Sequence, residues 1–398
     1  MGLPDVLVCG AGIAGLTLAY WLSRHGFPTT VVERAPALRA GGQSVDLRGA
    51  GYAVVERMGL LDRMGEVALD HRGFAWVDAV GRVTARIPAE LFGTPERMSK
   101  VEVLRGDLVR VLHGVGVGAV EYLFDDTISA IVQDGSGVTV SFRKAGRRRY
   151  GLVLGADGVH SVVRRLVFGP EARCVRAVGG YTAWFTAPDA GDLDGWFVTH
   201  NAPGGRAVSL RSGRSPGESK ARLSFTSAPG EHDRHDVAAQ QDLVARRFAG
   251  VGWKAPALLG AMRAAPDFRF DSISQVRLAR WSRGRVGLVG DAGYCPTLLT
   301  GLGTSLAIVG AYVLAGELAT AGGDHRAGFA RYEQVLRPYV RRGQSLPLGM
   351  HGFAPTGAGV IRLQAASIRC ATSRPLRGLL ARQLGRVGQF ALPDYGRG

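Results

Sequence analysis

The chain has 398 residues, of which 46% are hydrophobic and 21% charged, and 49 Lys+Arg against 33 Asp+Glu give a formal net charge of +16. That apolar content excludes a disordered chain, and the length suffices to bury a core without disulfide or metal staples. Four cysteines with no CxxC pair read as reduced thiols, and no basic segment precedes the first apolar run, so no signal peptide is read and a cytoplasmic location is expected.

The positive balance is almost all arginine, since only Lys100, Lys144, Lys220 and Lys254 are lysines. The arginines are scattered, apart from the run 147–149, and no zinc-finger spacing or RNP-like aromatic signature accompanies them. Nucleic acid is therefore not an expected partner. Residues 341–398 carry nine arginines and one acid, Asp394, and a folded helical segment is expected there. The longest apolar stretch, 306–318, contains Gly310, Gly316 and Glu317 and is short for a bilayer span, so no membrane partner is expected either.

In chain order, residues 6–9 (VLVC) predict a strand that ends at Gly10, and 17–24 show helical spacing through Leu18, Trp21 and Leu22. Residues 29–33 (TTVVE) predict a second strand, which completes a βαβ unit. A Gly-rich stretch follows, then a helical segment over 53–64 and a hairpin over 71–92 with its turn at Gly81. A helix is predicted at 105–112, strands at 128–133 and 137–143, and another strand at 150–154. Segments 178–186, 195–200, 206–211 and 221–227 are strand-like, with a helix over 236–249. A buried strand at 285–289 and a long apolar helix at 303–319 come next. Beyond them Leu376, Leu379, Leu380, Leu384, Val387 and Phe390 recur at helical spacing.

The pattern predicts an α/β fold: a Rossmann-like dinucleotide-binding domain with an inserted β-rich substrate domain and C-terminal helices. The expected division is 1–70, 101–174 and 276–335 for the dinucleotide domain, 71–100 and 175–275 for the insert, and 336–398 for the helical segment.

Gly10-Ala11-Gly12-Ile13-Ala14-Gly15 fits G-x-G-x-x-G between a strand and a helix. The first glycine permits the tight turn, the second admits a pyrophosphate, and the third lets helix and strand approach. Glu33 ends the next strand, where a carboxylate would bond ribose hydroxyls, which favours FAD or NAD over NADP at this site. Two later motifs join this one. Residues 154–164 (LGADGVHSVVR) link a strand to a helix, and 285–291 (RVGLVGD) end a buried strand with a carboxylate before TGLGTS opens a helix at 300–305.

Together the three motifs resemble the class A flavoprotein monooxygenases, the group around p-hydroxybenzoate hydroxylase. The wording from Gly290 to Leu318 looks especially like the tetracycline-inactivating branch. The resemblance implies that Gly10, Gly12, Ala14 and Gly15 cradle the FAD pyrophosphate, with Glu33 on the adenosine ribose and Arg34 beside it. It further implies that Gln43 and Arg105 contact FAD, that Asp157 serves FAD and NADPH, and that Asp291 holds the ribityl chain. Gly301, Gly303 and Thr304 would pass beneath the pyrimidine end of the flavin, where a helix N-terminus carries about half a positive charge. One departure stands out: many relatives have proline at the position of Leu298.

Trp184, Trp196, His200 and Phe225 are expected to line the substrate chamber, with Tyr294 and His351 as further candidates near it. Cys295 lies close to the flavin motif without a neighbouring base. The implied activity is an NADPH- or NADH-consuming monooxygenase that uses O2 on an aromatic or polyketide-like small molecule, as a monomer or homodimer. The alternative is an FAD-bound cyclase or isomerase that does not activate oxygen.

Overall fold

The computed structural model describes residues 2–39, 41–92, 102–188, 191, 193–215, 217–228, 230, 236–345, 354–386 and 389–396. Two large sheets organise them. The first has six strands in the order Ser282–Arg283, Val286–Leu288, Leu152–Gly155, Val6–Cys9, Thr29–Glu33 and Glu121–Phe124. All its pairings are parallel except at the Ser282–Arg283 edge. A parallel sheet is covered on both faces, which is why VLVC is a continuous apolar run. Helix Ile13–Arg24 packs on one face with helix Gly303–Thr320 against it. On the other face a three-stranded sheet (Ile128–Gln133, Val138–Phe142, Arg147–Tyr150) contributes Val140 and Phe142 to a shared core with Leu7 and Val153.

The second sheet has seven strands in the order Arg269–Val276, Val175–Pro188, Glu218–Thr226, Arg206–Ser212, Trp196–Ala202, Gly73–Val77 and Val83–Pro88. Its strands alternate in facing, and one face is closed by helices Val237–Phe248 and Ala255–Ala264 over Tyr181, Phe185, Leu223 and Phe225. The other face looks toward the half built on the six-stranded sheet. There Arg211 pairs with Glu102 at 2.7 Å and Asp271 meets His160 Nε2 at 3.2 Å. Helix Ala358–Thr372 borders the same face, where Asn201 donates to Gln364 at 2.9 Å.

Three local expectations change. The segment 53–64 is two helices, Ala50–Arg57 and Leu61–Glu66, separated at Gly59, whose φ of +69° suits only glycine well. Helix Gly303–Thr320 is longer than its apolar run and could cross a membrane by length and composition, but it is buried from Ser305 to Leu318 inside the fold. The helical spacing drawn through Phe390 ends sooner, at Arg386, with Leu379 60% exposed. Residues 389–396 run without regular structure instead, and anchor through polar and aromatic contacts. Phe390 stacks on Tyr339, Tyr312 donates to Pro393 O at 2.9 Å, and Tyr395 donates to the buried Glu317 at 2.9 Å. The Leu384 side chain and Val387 lie outside the described residues.

Candidate active site

The loop after strand Val6–Cys9 is shaped by its glycines in different ways. Gly10 sits at φ +106°, and a Cβ there would be 2.8 Å from Ala156 O. A Cβ on Gly15 would be 1.9 Å from Gly10 O, so helix and strand approach as closely as backbone allows. Gly12 differs: a Cβ on it would meet only Arg105 Nη2, at 3.8 Å. Its α-carbon borders a space the protein leaves open, facing a guanidinium. Ala14 is buried, close against Gly290. Glu33 Oε2 accepts from Ala11 N at 2.9 Å and Oε1 from Ala35 N at 3.0 Å, so the carboxylate is fixed at the edge of the same loop. Arg34 beside it is exposed.

Arg105 opens helix Arg105–Gly114, and its N–H donates to Gln43 O at 2.9 Å. Burial lowers the pKa of its guanidinium, while the charges of Asp291 and Glu33 work the other way. Gln43 Nε2 reaches Ala221 O at 3.4 Å and so touches the seven-stranded sheet. Asp291 follows Gly290 at the sheet edge; burial raises its carboxyl pKa, with Cys295 and Arg105 opposing the shift. Asp157 is occupied internally. It accepts from Ser161 Oγ, from Val162 N at 2.6 Å and from Val163 N at 3.2 Å, and so caps helix Val162–Phe168. Gly301 and Gly303 have no protein atom within 4 Å of a built Cβ, and helix Gly303–Thr320 begins there without a side-chain cap. The first N–H groups of this helix have no intrahelical partner and carry the positive end of the helix dipole.

This arrangement fits FAD on two counts: the opening beside Gly12 admits a group larger than a methyl, and Arg105 supplies the positive charge a pyrophosphate needs.

The sheet face opposite carries a row of cross-strand neighbours: Arg269, Trp184, Arg222, Ser209, Thr199 and Trp76. Arg222 stands near its middle. Its Nε is buried without a hydrogen-bond partner, its Nη2 is 3.5 Å from Ser209 Oγ, and its guanidinium lies 5.0 Å from the Phe197 ring centre. Burial lowers its pKa to about 10. No carboxylate pairs with it among the described residues, whereas Arg211 has Glu102 and Lys220 has Glu218.

Three of the four expected chamber residues point elsewhere, because side chains alternate along a strand. Phe225 is fully buried under helix Val237–Phe248, with Phe248 6.2 Å away between ring centres. His200 shares that side; its Nδ1 lies 3.1 Å from Val77 O and its ring faces Trp253. Trp196 packs against the same core beneath Arg86. Trp184 alone lies in the Arg222 row. Tyr294 is also a packing residue: its hydroxyl accepts from Tyr332 at 3.0 Å and fills the space over Gly310. Cys295 is buried, and burial pushes its thiol well up. His351 lies outside the described residues. Leu298 opens a short 3-10 turn after Thr297, whose φ of +83° is costly for a β-branched residue.

The family model described as "FAD binding domain" matches residues 4–342. A flavin-dependent monooxygenase of Legionella longbeachae is 37% identical over 339 residues, which cover 85% of this chain and 86% of that protein. The chain belongs to the FAD-dependent monooxygenases. An uncharacterised protein of Mycobacterium tuberculosis is 47% identical over 348 residues, covering 86% and 92% of the two chains. Among solved structures, tetracycline destructase Tet(51) superposes with a TM-score of 0.83 at 31% identity over 100% of both chains.

For this monooxygenase, sequence reading found Trp184 but missed Arg222 and the rest of its row. A signal was present: Lys220, Arg222 and Ser224 alternate with Ala221, Leu223 and Phe225. Such alternation ordinarily marks a strand with one wet face. Here the polar face looks into the interior of the molecule.

Proposed function

We propose that this monooxygenase consumes NADPH or NADH as a transient co-substrate and transfers one oxygen atom of O2 to an aromatic or polyketide-like small molecule, tetracyclines included. The observation that carries the reading is Arg222, a half-buried cation on the wall opposite the cofactor cradle, whose Nε is buried without a partner and which has no counter-ion among the described residues. A buried unpaired charge is costly unless a ligand completes it. Phenolates and enolised diketones carry the required oxygen anion on an aromatic frame that Trp184 and Phe197 would pack.

Bound FAD supplies the redox chemistry, accepting electrons from the nicotinamide and reacting with O2. In this proposal Gly10, Gly12, Ala14 and Gly15 with Arg105 hold the pyrophosphate, Glu33 and Arg34 address the adenosine ribose, and Gln43 and Asp291 flank the rest. The start of helix Gly303–Thr320, which has no side-chain cap, would favour negative charge on a flavin held there. Asp157 acts through the loop it caps. In balance, substrate, O2, NADPH and a proton give hydroxylated substrate, water and NADP+. Three buried free thiols support a reducing, cytoplasmic setting.

The test is NADPH consumption across a panel of aromatic polyketides, with product mass. Stimulated consumption and a product heavier by one oxygen are expected. Turnover without NADPH or O2 would replace this reading with the non-oxygenating cyclase, which the monooxygenase relatives do not favour.

A further inference from the structure

Between Glu333 and Asp394 the chain has nine arginines and neither an acid nor a lysine, although it carries 33 acids in all. A general preference for arginine over lysine leaves that absence of acids unexplained. Helices Ala358–Thr372 and Arg377–Arg386 occupy much of this stretch. They stand on the edge strand of the seven-stranded sheet and the turn after it: Arg369 Nη1 donates to Thr84 O at 2.7 Å and Arg377 pairs with Glu90 at 2.7 Å. The inward face of the first helix holds Gln364 and the buried Ala365.

The outward faces combine two features. Among the described residues, four of the ten exposed large apolar side chains fall here: Val360, Leu363, Leu376 and Leu379, at 39–65% exposure. Arg362, Arg374 and Arg382 are exposed between them, with no ion-pair partner among the described residues. Apolar groups alone would suit many partners, and arginines alone any polyanion. The combination is narrower. A second copy would bring the same cations against these cations, and nucleic acid would leave the leucines and valines unused.

We propose that this face docks on an anionic phospholipid surface, with the arginines at the headgroups and Val360, Leu363, Leu376 and Leu379 dipping into the acyl boundary. The contact is peripheral and independent of the flavin chemistry. It revises the expectation of no membrane partner, which was drawn from the shortness of the longest apolar stretch, 306–318.

The test is co-sedimentation of the FAD-loaded protein with vesicles of phosphatidylcholine alone or mixed with phosphatidylglycerol. Binding to the mixed vesicles only, reversed by high salt, is expected. Each basic side chain at an anionic surface contributes about fivefold, so R362Q/R374Q/R382Q lowers partitioning about a hundredfold. L363S/L379S lowers it about tenfold at unchanged charge. Retained flavin absorbance shows that the variants are folded. Equal binding to both vesicle types, no binding to the mixed ones, or wild-type binding by the arginine variant would overturn the proposal. So would wild-type vesicle binding by L363S/L379S with displacement by duplex DNA, the mark of a general polyanion site. A dimer abolished by L363S/L379S, without vesicle binding, would assign the face to a second copy.

Discussion

Gly12 caps helix Ile13–Arg24 and Gly15 lies three residues on in its first turn, yet adding a methyl group to each should produce opposite phenotypes. At Gly15 the new Cβ would sit 1.9 Å from Gly10 O and 3.3 Å from the Ala156 methyl. Something must retreat by more than an ångström within a packed strand–helix junction, at a cost of about 1–3 kcal/mol. At Gly12 the backbone is extended, with φ −86°, and the methyl would meet only Arg105 Nη2, at 3.8 Å. Alanine at a helix N-cap costs under about 1 kcal/mol. It would, however, occupy the space proposed for the pyrophosphate. Losing one charge-assisted hydrogen bond there is worth about 1.5–3 kcal/mol, or roughly ten- to a hundredfold in FAD affinity. The assay pairs thermal unfolding of the apoprotein with a fluorescence titration of FAD. G15A should melt several degrees below wild type; G12A should melt near it and bind FAD poorly. A G12A protein that binds FAD normally, or an apo form as unstable as G15A, would refute the cradle geometry.

E33A should weaken FAD by about tenfold or more and FMN far less, since only FAD has the adenosine ribose; equal losses would remove Glu33 from that role. R222M should raise KM for an acidic polyketide about tenfold or more while FAD affinity holds, as measured by steady-state kinetics beside FAD titration. The carboxyl of Asp126 feels burial, which raises its pKa, but N–H donors from Ala145, Thr127 and Lys144 outweigh it and hold the pKa below the usual range. Its contribution is therefore complete above about pH 4 and fades as pH falls through the lower folded value. D126N should flatten the acid limb of stability against pH, and an unchanged limb would count against this account. Of the four cysteines only Cys370 is exposed, so a thiol reagent should titrate one group in the native protein and four after denaturation.

The glycine loop proposed as the cradle was legible in the sequence because its geometry is local. Gly10, Gly12 and Gly15 fall within six residues, and Glu33 follows on the adjacent parallel strand. The chamber wall was harder to read. Aromatic and polar character drew attention to Trp196, His200 and Phe225, yet which side of a strand faces a ligand depends on where the helices lie. Val237–Phe248 and Ala255–Ala264 decide that, and the second of these was missing from the sequence reading. Phe390 continued a helical spacing by coincidence; its stacking on Tyr339 belongs to an irregular segment.

The seven-stranded sheet also separates two kinds of evolutionary constraint. Residues on the helix-covered side, such as Phe225 and Leu223, are locked by close packing, and changing them threatens folding. Those one position away, Arg222, Ser209 and Thr199, are tied to one another by polar contacts across the strands, and in the proposed reading they answer chiefly to whatever molecule is admitted. A lineage could exchange its substrate by altering alternate residues on three or four strands while the intervening ones stay fixed, so retooling and stability would rarely compete for the same codon.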